Sequence, residues 1–381
     1  MKAAFVRWLV DKTRRLIKYK VDFCNMLIIN NSYLLVSDAL FGAYLYDYPN
    51  LPIFANKKRR QMKAVVIDKC CKAEDLRVSD IPIPDVRPGW VLVRIHAAGL
   101  NHSEALLRMY EADEDYIHTP IVPGIECAGE IADASDSDLK QGDRVVALMG
   151  GMGRSFNGSY EEYALLPRDN VFKVETDLNW IELAAIPETY FTAYGSLREC
   201  LLLKQGDILL VRGATSTIGQ AAIQFGKVMG ATVIATCRRE ASFDKLWQIG
   251  ADYCVVDDGQ ISQRKFHRQP NKILELIGPK TLHDSLLTVT RPGFVCNTGV
   301  LGGVYTIEHF DPTKFIPNGV FLSEFFSNYP TRKIMDELFG IIHDNHVKPL
   351  YSKVLKLSDI TEAHTLLENG GAGGKIILDL D

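Results

Sequence analysis

The sequence contains no C-x-x-C pair. Its eight cysteines are Cys24, Cys70, Cys71, Cys127, Cys200, Cys237, Cys254 and Cys296, several of them inside apolar, strand-like runs. That distribution excludes a structural zinc lobe and fits reduced thiols in a cytoplasmic protein better than a disulfide framework. Uncharged apolar runs of about 18–20 residues are also missing, so no membrane span is expected. Internal repeats and low-complexity tracts are absent. Positive charge is outnumbered by negative charge in the main body. The net charge is −4, but residues 1–61 carry 11 Lys/Arg against 4 Asp/Glu, a net +7, which leaves −11 for the remainder. An acidic body argues against nucleic acid as a partner, because such binding needs a cationic surface to displace counterions.

What is present is ordinary for a folded protein: 381 residues with 47% hydrophobic and 24% charged side chains. A chain of this length predicts two domains. Residues 1–61 read as a basic extension outside the fold. AAFVRWLVDKTRRLIKYK (3–20) is roughly amphipathic, and KKRR stands at 57–60; targeting or membrane-surface contact is the alternative use for such a segment. MKAVVIDK at 62–69 reads as the domain start. Residues 62–189 then alternate short β-runs with Pro/Gly turns, which predicts a barrel-like β domain. Over 190–318 apolar strands alternate with helices, the pattern of a parallel sheet built from βαβ units. Residues 319–381 end in the strand KIILDL, which completes the first domain if it rejoins it.

Within the second region, GATSTIG (213–219) lies between the strand-like ILLV and the helix-like QAAIQFGKVMG. A pyrophosphate needs a helix N-terminus with free N–H groups and small residues that let the backbone approach. Gly213, Ala214, Ser216 and Gly219 supply the small residues, with Thr217 and Ile218 opening the helix. Ser216 replaces the middle glycine of the usual G-x-G-x-x-G, and its hydroxyl, with that of Thr217, is a candidate phosphate donor. The next strand, ATVIATCRRE, ends without the acid that would bond the ribose of NAD. Arg238 and Arg239 stand there instead, and a guanidinium pair suits a 2′-phosphate. The expected cofactor is NADPH.

Further stretches extend this pattern: AAGLNHSEALLR (97–108), PGIECAGEI (123–131), GDRVVAL (142–148), GSYEEYALLP (158–167), PETYFTAYGSL (187–197), GADYCVVDDG (250–259) and GGKIILDL (373–380). In this order, over residues 62–381, the chain resembles the medium-chain dehydrogenase/reductase superfamily, specifically its zinc-free quinone oxidoreductase-like branch. The resemblance implies a GroES-like β-barrel catalytic domain with a Rossmann doubly wound parallel-sheet domain inserted in it, and a homodimer formed through the edge of the Rossmann sheet. In the zinc alcohol dehydrogenases of the superfamily, Cys, His and Cys hold the catalytic metal at places that correspond here to Asn101, Ile125 and Glu188. An amide, an alkyl chain and one carboxylate do not make a tetrahedral zinc site, so no metal is expected.

Without a Lewis acid, the acceptor must already be electrophilic: a quinone or a conjugated carbonyl compound. By resemblance, Asn101 faces substrate and nicotinamide, Thr192 lies near the nicotinamide ring, and Gly299, Val300 and Leu301 contact its end through their backbone. Tyr110 and Tyr116 lie in the segment after Asn101, where a phenol could cap or protonate a substrate, and Tyr110 is the catalytic candidate of the two. Glu104 and Glu126 sit beside these motifs, with scaffold and catalytic roles both open. GGAGGK (370–375) reads as a glycine turn, since it precedes a strand and lacks the Ser/Thr of a phosphate loop. The expected activity is NADPH-dependent, zinc-independent hydride transfer to a quinone or activated carbonyl. The alternatives are reduction of an enone or alkenal double bond, and NADPH binding without catalysis.

Overall fold

The computed structural model describes residues 60–370 and 372–381, together with the backbone of 26–29 and 32–35. The basic segment 3–20 and residues 57–59 of the KKRR run lie outside the described residues. The chain divides into two units, Met1–Arg59 and Arg60–Asp381. In the first, Met26–Ile29 pairs antiparallel with Ser32–Leu35, with Met26 opposite Leu35. Everything below concerns the second unit.

Its barrel is organised by one long strand, Trp90–Gly99. Three partners run antiparallel to it: Tyr163–Pro167 along its first half, Glu126–Asp133 along its middle, and Ile376–Asp379 at its end. Arg144–Leu148 and Val171–Lys173 extend the sheet from Glu126–Asp133, and Lys353–Lys356 extends it from Ile376–Asp379. Two register shifts bend the long strand, between Leu92 and Val93 and between Ile95 and Ala97. Val91, Val93 and Ile95 enter the barrel core, and past the second shift the same core receives Ala98 and Leu100. The extra residue has moved the alternation by one. Gly129 is required beside this bend, because a Cβ there would lie 2.1 Å from the Arg94 carbonyl oxygen.

Between Val171–Lys173 and Lys353–Lys356 the chain builds a six-stranded parallel sheet. In chain order its strands are Ile208–Arg212, Thr232–Cys237, Tyr253–Val256, Lys272–Glu275, Gly293–Asn297 and Val320–Glu324. In space they run third, second, first, fourth, fifth, sixth, the doubly wound order. Ile208–Arg212 is central and buried on both faces, which is why it reads as a continuous apolar run rather than an alternation. Leu209 and Val211 pack with Ala221, Ala222 and Phe225 of the helix Thr217–Val228 on one side. Leu210 packs with Leu282 and Leu286 of the helix Pro279–Thr288 on the other. The α/β fold class expected from the sequence is the one observed, and the last strand does rejoin the barrel.

A buried helix, Pro187–Gly195, joins the two sheets. Tyr190 and Tyr194 set their ring edges against Phe225 of the helix Thr217–Val228, at centroid distances of 5.5 and 5.9 Å. Among the described residues, no helix is long and apolar enough to cross a membrane.

Candidate functional site

The first half of the site is the carboxyl edge of the parallel sheet. Gly213 leaves the first strand at φ +84, a backbone region costly for any side chain. The Ala214 N–H donates to the Thr236 carbonyl on the neighbouring strand at 3.0 Å, which ties the loop to the sheet. Ser216 caps the helix: its Oγ accepts from the Gly219 N–H at 3.1 Å and donates to the Gly213 carbonyl at 2.8 Å. The Ser216 hydroxyl is therefore engaged within the loop, while the first-turn N–H groups of Thr217 and Ile218 have no intrahelical acceptor. A Cβ on Gly219 would lie 2.7 Å from both the Ala214 Cα and the Gly213 carbonyl oxygen, so only glycine lets helix and strand approach this closely.

Leu301 overhangs the loop, its Cδ1 3.3 Å from where a Gly213 Cβ would stand. It comes from Gly299–Leu301, which turns back over the fourth strand. The Gly299 N–H donates to the Glu275 carbonyl at 3.3 Å and the Leu301 N–H to the Leu276 carbonyl at 3.1 Å. Arg238 and Arg239 follow the second strand within three residues of Thr236. Both are exposed, and neither guanidinium has a hydrogen-bond or ion-pair partner among the described residues. Below the loop a buried arginine braces the strand ends. Arg212 donates to Asp257 through Nε and Nη2 at 2.8 and 3.0 Å, and lies 2.9 Å from Asp284. Burial pushes the Asp257 carboxyl up, but the hydrogen bonds and charge of Arg212 outweigh it and hold the group below its ordinary range.

The second half is a polar cluster inside the barrel. Asn101 stands at the N-cap position of the short helix His102–Leu106, with its side chain turned to other partners, and is half-buried. Its Nδ2 donates to Glu126 Oε1 at 2.8 Å, and Lys375 Nζ donates to its Oδ1 at 2.5 Å. Lys375 also reaches Glu126 Oε1 at 2.5 Å, and both of those charged side chains are fully buried. The other Glu126 oxygen accepts the Glu188 backbone N–H at 2.7 Å, at the start of the joining helix. One turn later Thr192 Oγ1 donates to Glu188 Oε1 at 2.8 Å, which also accepts from Ser327 at 3.3 Å. Ser196, on the next turn, contacts Thr298 Oγ1 at 2.8 Å, immediately before Gly299. A continuous chain of polar contacts thus runs from Asn101 in the barrel to the sheet edge.

Burial raises the Glu188 carboxyl against the opposing Lys375 ammonium. Burial likewise pushes Glu104 up to about 7, although the Lys375 charge and backbone N–H groups, that of Ile125 at 3.2 Å among them, favour its ionised form; the Asn101 N–H also donates to this carboxyl at 2.8 Å. Glu104 is thereby a scaffold for the turn carrying Asn101, and Glu126 is the hub of the cluster. Ile125 is buried and apolar. Among the described residues, no group of three or more His, Cys, Asp and Glu side chains is placed to hold a metal ion. Asn101, Ile125 and Glu188 do not fit a zinc ion.

Asn101 and Thr192 come together through Glu126 and Glu188. Tyr110 does not join them: it is 66% exposed and its hydroxyl has no hydrogen bond among the described residues. Tyr116 is 62% exposed. The residue missed in the sequence is Lys375, hidden in the glycine-rich GGAGGK. Its signal was the single long cation entering an apolar strand, where a lysine needs a buried partner.

Residues 87–176 match the alcohol dehydrogenase GroES-like domain family, and residues 249–378 match the zinc-binding dehydrogenase family. Human quinone oxidoreductase is 29% identical over 339 residues, covering 84% of this chain and 98% of that protein. The mouse synaptic vesicle membrane protein VAT-1 homolog-like is 27% identical over 350 residues, covering 84% and 82%. The crystal structure of an NAD-dependent alcohol dehydrogenase is 26% identical, superposes with a TM-score of 0.74, and covers 84% of this chain and all of its own (100%). With the barrel, the doubly wound sheet and the glycine turn in place, these matches support a likeness to the quinone oxidoreductase-like branch of the medium-chain dehydrogenase/reductase superfamily, an oxidoreductase family that binds a nicotinamide cofactor.

Proposed function

We propose that the protein is an NADPH-dependent, zinc-independent reductase of quinones or conjugated carbonyl compounds. The observation that carries this reading is the make-up of the barrel cluster: an amide, carboxylates and an ammonium bonded to one another, with no Cys or His donor among them. Such a set orients and hydrogen-bonds an oxygen but offers no Lewis acid. An acceptor that is already electrophilic suits it. The similarity to quinone oxidoreductases points the same way.

The cradle left by Gly213 and Gly219 suits a pyrophosphate against the first turn of Thr217–Val228, and the unpaired Arg238 and Arg239 suit a 2′-phosphate. On this reading the backbone of Gly299, Val300 and Leu301 contacts the nicotinamide end. Bound NADPH would supply the hydride, and the acceptor would take its proton from water. On this reading residues 190–318 serve the cofactor, while 62–189 and 319–381 form the substrate side. The outer edge of Val320–Glu324, where Phe321 is 55% exposed, is the proposed homodimer contact, which light scattering checks as twice the mass of one chain.

The test is oxidation of NADPH and NADH followed at 340 nm with a naphthoquinone and a short-chain enone, on chelator-treated protein. NADPH-dependent quinone turnover is expected. Replacing both Arg238 and Arg239 by Ala lowers kcat/KM for NADPH about tenfold or more while leaving NADH unchanged. An NADH preference in the wild type overturns the 2′-phosphate assignment. Turnover of the enone alone moves the activity to double-bond reduction. NADPH binding without any turnover makes the protein a non-catalytic binder.

A further inference from the structure

Lys375 is a fully buried lysine, and the fold makes a place for it. The strand Ile376–Asp379 pairs with the end of Trp90–Gly99, with Ile377 opposite Gly99, and the Leu100 N–H donates to the Ile376 carbonyl at 3.0 Å. That register sets Lys375 beside Asn101. Gly99 keeps the channel open: a Cβ on it would lie 2.7 Å from Lys375 Cε and 2.5 Å from Glu126 Oε1.

The chemistry of the three groups allows one arrangement. An ammonium only donates and an ionised carboxylate only accepts, whereas an amide does both. Asn101 must therefore turn Oδ1 to Lys375 and Nδ2 to Glu126, as the distances of 2.5 and 2.8 Å show. A flipped amide would set oxygen against carboxylate and N–H against ammonium. One Nδ2 hydrogen is spent on Glu126, and the other stays uncommitted. Asn101 is half-buried while Lys375 and Glu126 are fully buried, so that hydrogen is the cluster's accessible donor. The ammonium on Oδ1 also draws charge from the amide, which strengthens the remaining N–H as a donor.

We propose that Lys375 is a positioning residue that, together with Glu126, holds Asn101 as a one-way hydrogen-bond donor to the carbonyl oxygen of the acceptor. This rests on the reductase reading above. A clamped donor stabilises the negative charge that grows on that oxygen as hydride arrives at the conjugated system, and it costs no reorganisation. The position selects acceptors by their oxygen and leaves cofactor binding to the sheet edge.

A double-mutant cycle in the full chain tests the proposal, with naphthoquinone at saturating NADPH. Asn101→Ala is expected to lower kcat about a hundredfold. Lys375→Met is expected to lower kcat about ten- to a hundredfold with KM for NADPH unchanged, Lys375→Arg to restore most of it, and Lys375→Met to cost nothing more in the Asn101→Ala background. Losses that multiply, or a Lys375→Met effect confined to KM for NADPH, overturn the proposal. Lys375→Met alone leaves a buried unpaired carboxylate and can fail to fold. Lys375→Met/Glu126→Gln removes both charges together and is expected to show the same kcat loss at an intact melting transition.

A second readout is independent of turnover. In the wild type, selectively 15N-labelled Asn101 is expected to show two Nδ2 protons of unequal solvent exchange, and in the charge-free pair the two rates converge. Equal rates in the wild type overturn the clamp even if quinone is reduced. Unequal rates in a protein that reduces no acceptor keep the clamp and sink the reductase reading alone.

Discussion

At the scale of single residues, the molecule buries more charge than its composition suggests, and almost all of it is paired. Lys375 has Glu126, and Arg212 has Asp257 and Asp284. Among the described residues, Glu161 is a carboxyl without such a partner. It is buried, both carboxyl oxygens lack a hydrogen-bond partner, and burial raises its carboxyl well above the ordinary range. Below the ordinary glutamate value of about 4.3 the carboxyl is neutral in folded and unfolded chains alike, and it costs nothing. Between that value and the raised one, the unfolded chain ionises and the folded chain does not. Stability is therefore lost as pH rises through this window. Glu161→Gln removes the term, so its stability relative to wild type is expected to grow by about 1–3 kcal/mol from pH 4.5 to pH 7.5, measured by denaturant melts. A difference that stays constant with pH would show Glu161 ionised in the fold. Glu161 stood unremarked within GSYEEYALLP because a carboxylate beside another carboxylate reads as a solvated pair. Only packing shows that it is buried.

At the scale of elements, the glycine turn is where the backbone meets the proposed function. Gly219 touches Ala214 and Gly213 through backbone atoms, which have no side-chain freedom to yield. Gly219→Ala is expected to push the helix Thr217–Val228 off the first strand, lowering stability by about 1–3 kcal/mol and weakening NADPH binding about tenfold or more by calorimetric titration. Unchanged affinity would detach this turn from the cofactor. The turn was legible because its requirements are local: a strand, a φ only glycine adopts readily, an N-cap and a helix. The role of Ser216 was less so, since the same hydroxyl serves a phosphate or a cap, and the bonds to Gly213 and Gly219 decide for the cap. Tyr110 was singled out by proximity in sequence to Asn101. The turn of π-helix Leu107–Glu111 carries it to the surface instead.

At the scale of the whole molecule, the barrel is completed by its two ends in sequence. Gln61–Val65 opens the second unit by pairing with Val78–Pro82, and Ile376–Asp379 closes it against Trp90–Gly99. Among the described residues, the buried apolar side chains run from Met62 to Leu378. Residues 60–381 therefore carry their own core. Deleting residues 1–59 is expected to leave the melting temperature and NADPH affinity unchanged, measured by scanning calorimetry and titration. A lower melting temperature would show that the basic extension stabilises the fold.

The sequence by itself determined the class of fold, the order of its two sheets and the place of the glycine turn, because hydrophobic period, glycine position and strand–helix alternation act over a few residues at a time. It also determined that the three zinc-ligand places hold an amide, an alkyl chain and a carboxylate. Only the tertiary structure decided how the barrel cluster is wired. Asn101, Glu126, Glu188 and Lys375 lie far apart in the chain, and a strand register opposite Gly99 brings the last of them to the first. Burial then turns a terminal glycine turn and its lysine into a partner for the Asn101 amide, since an ammonium away from water must find its acceptors within reach.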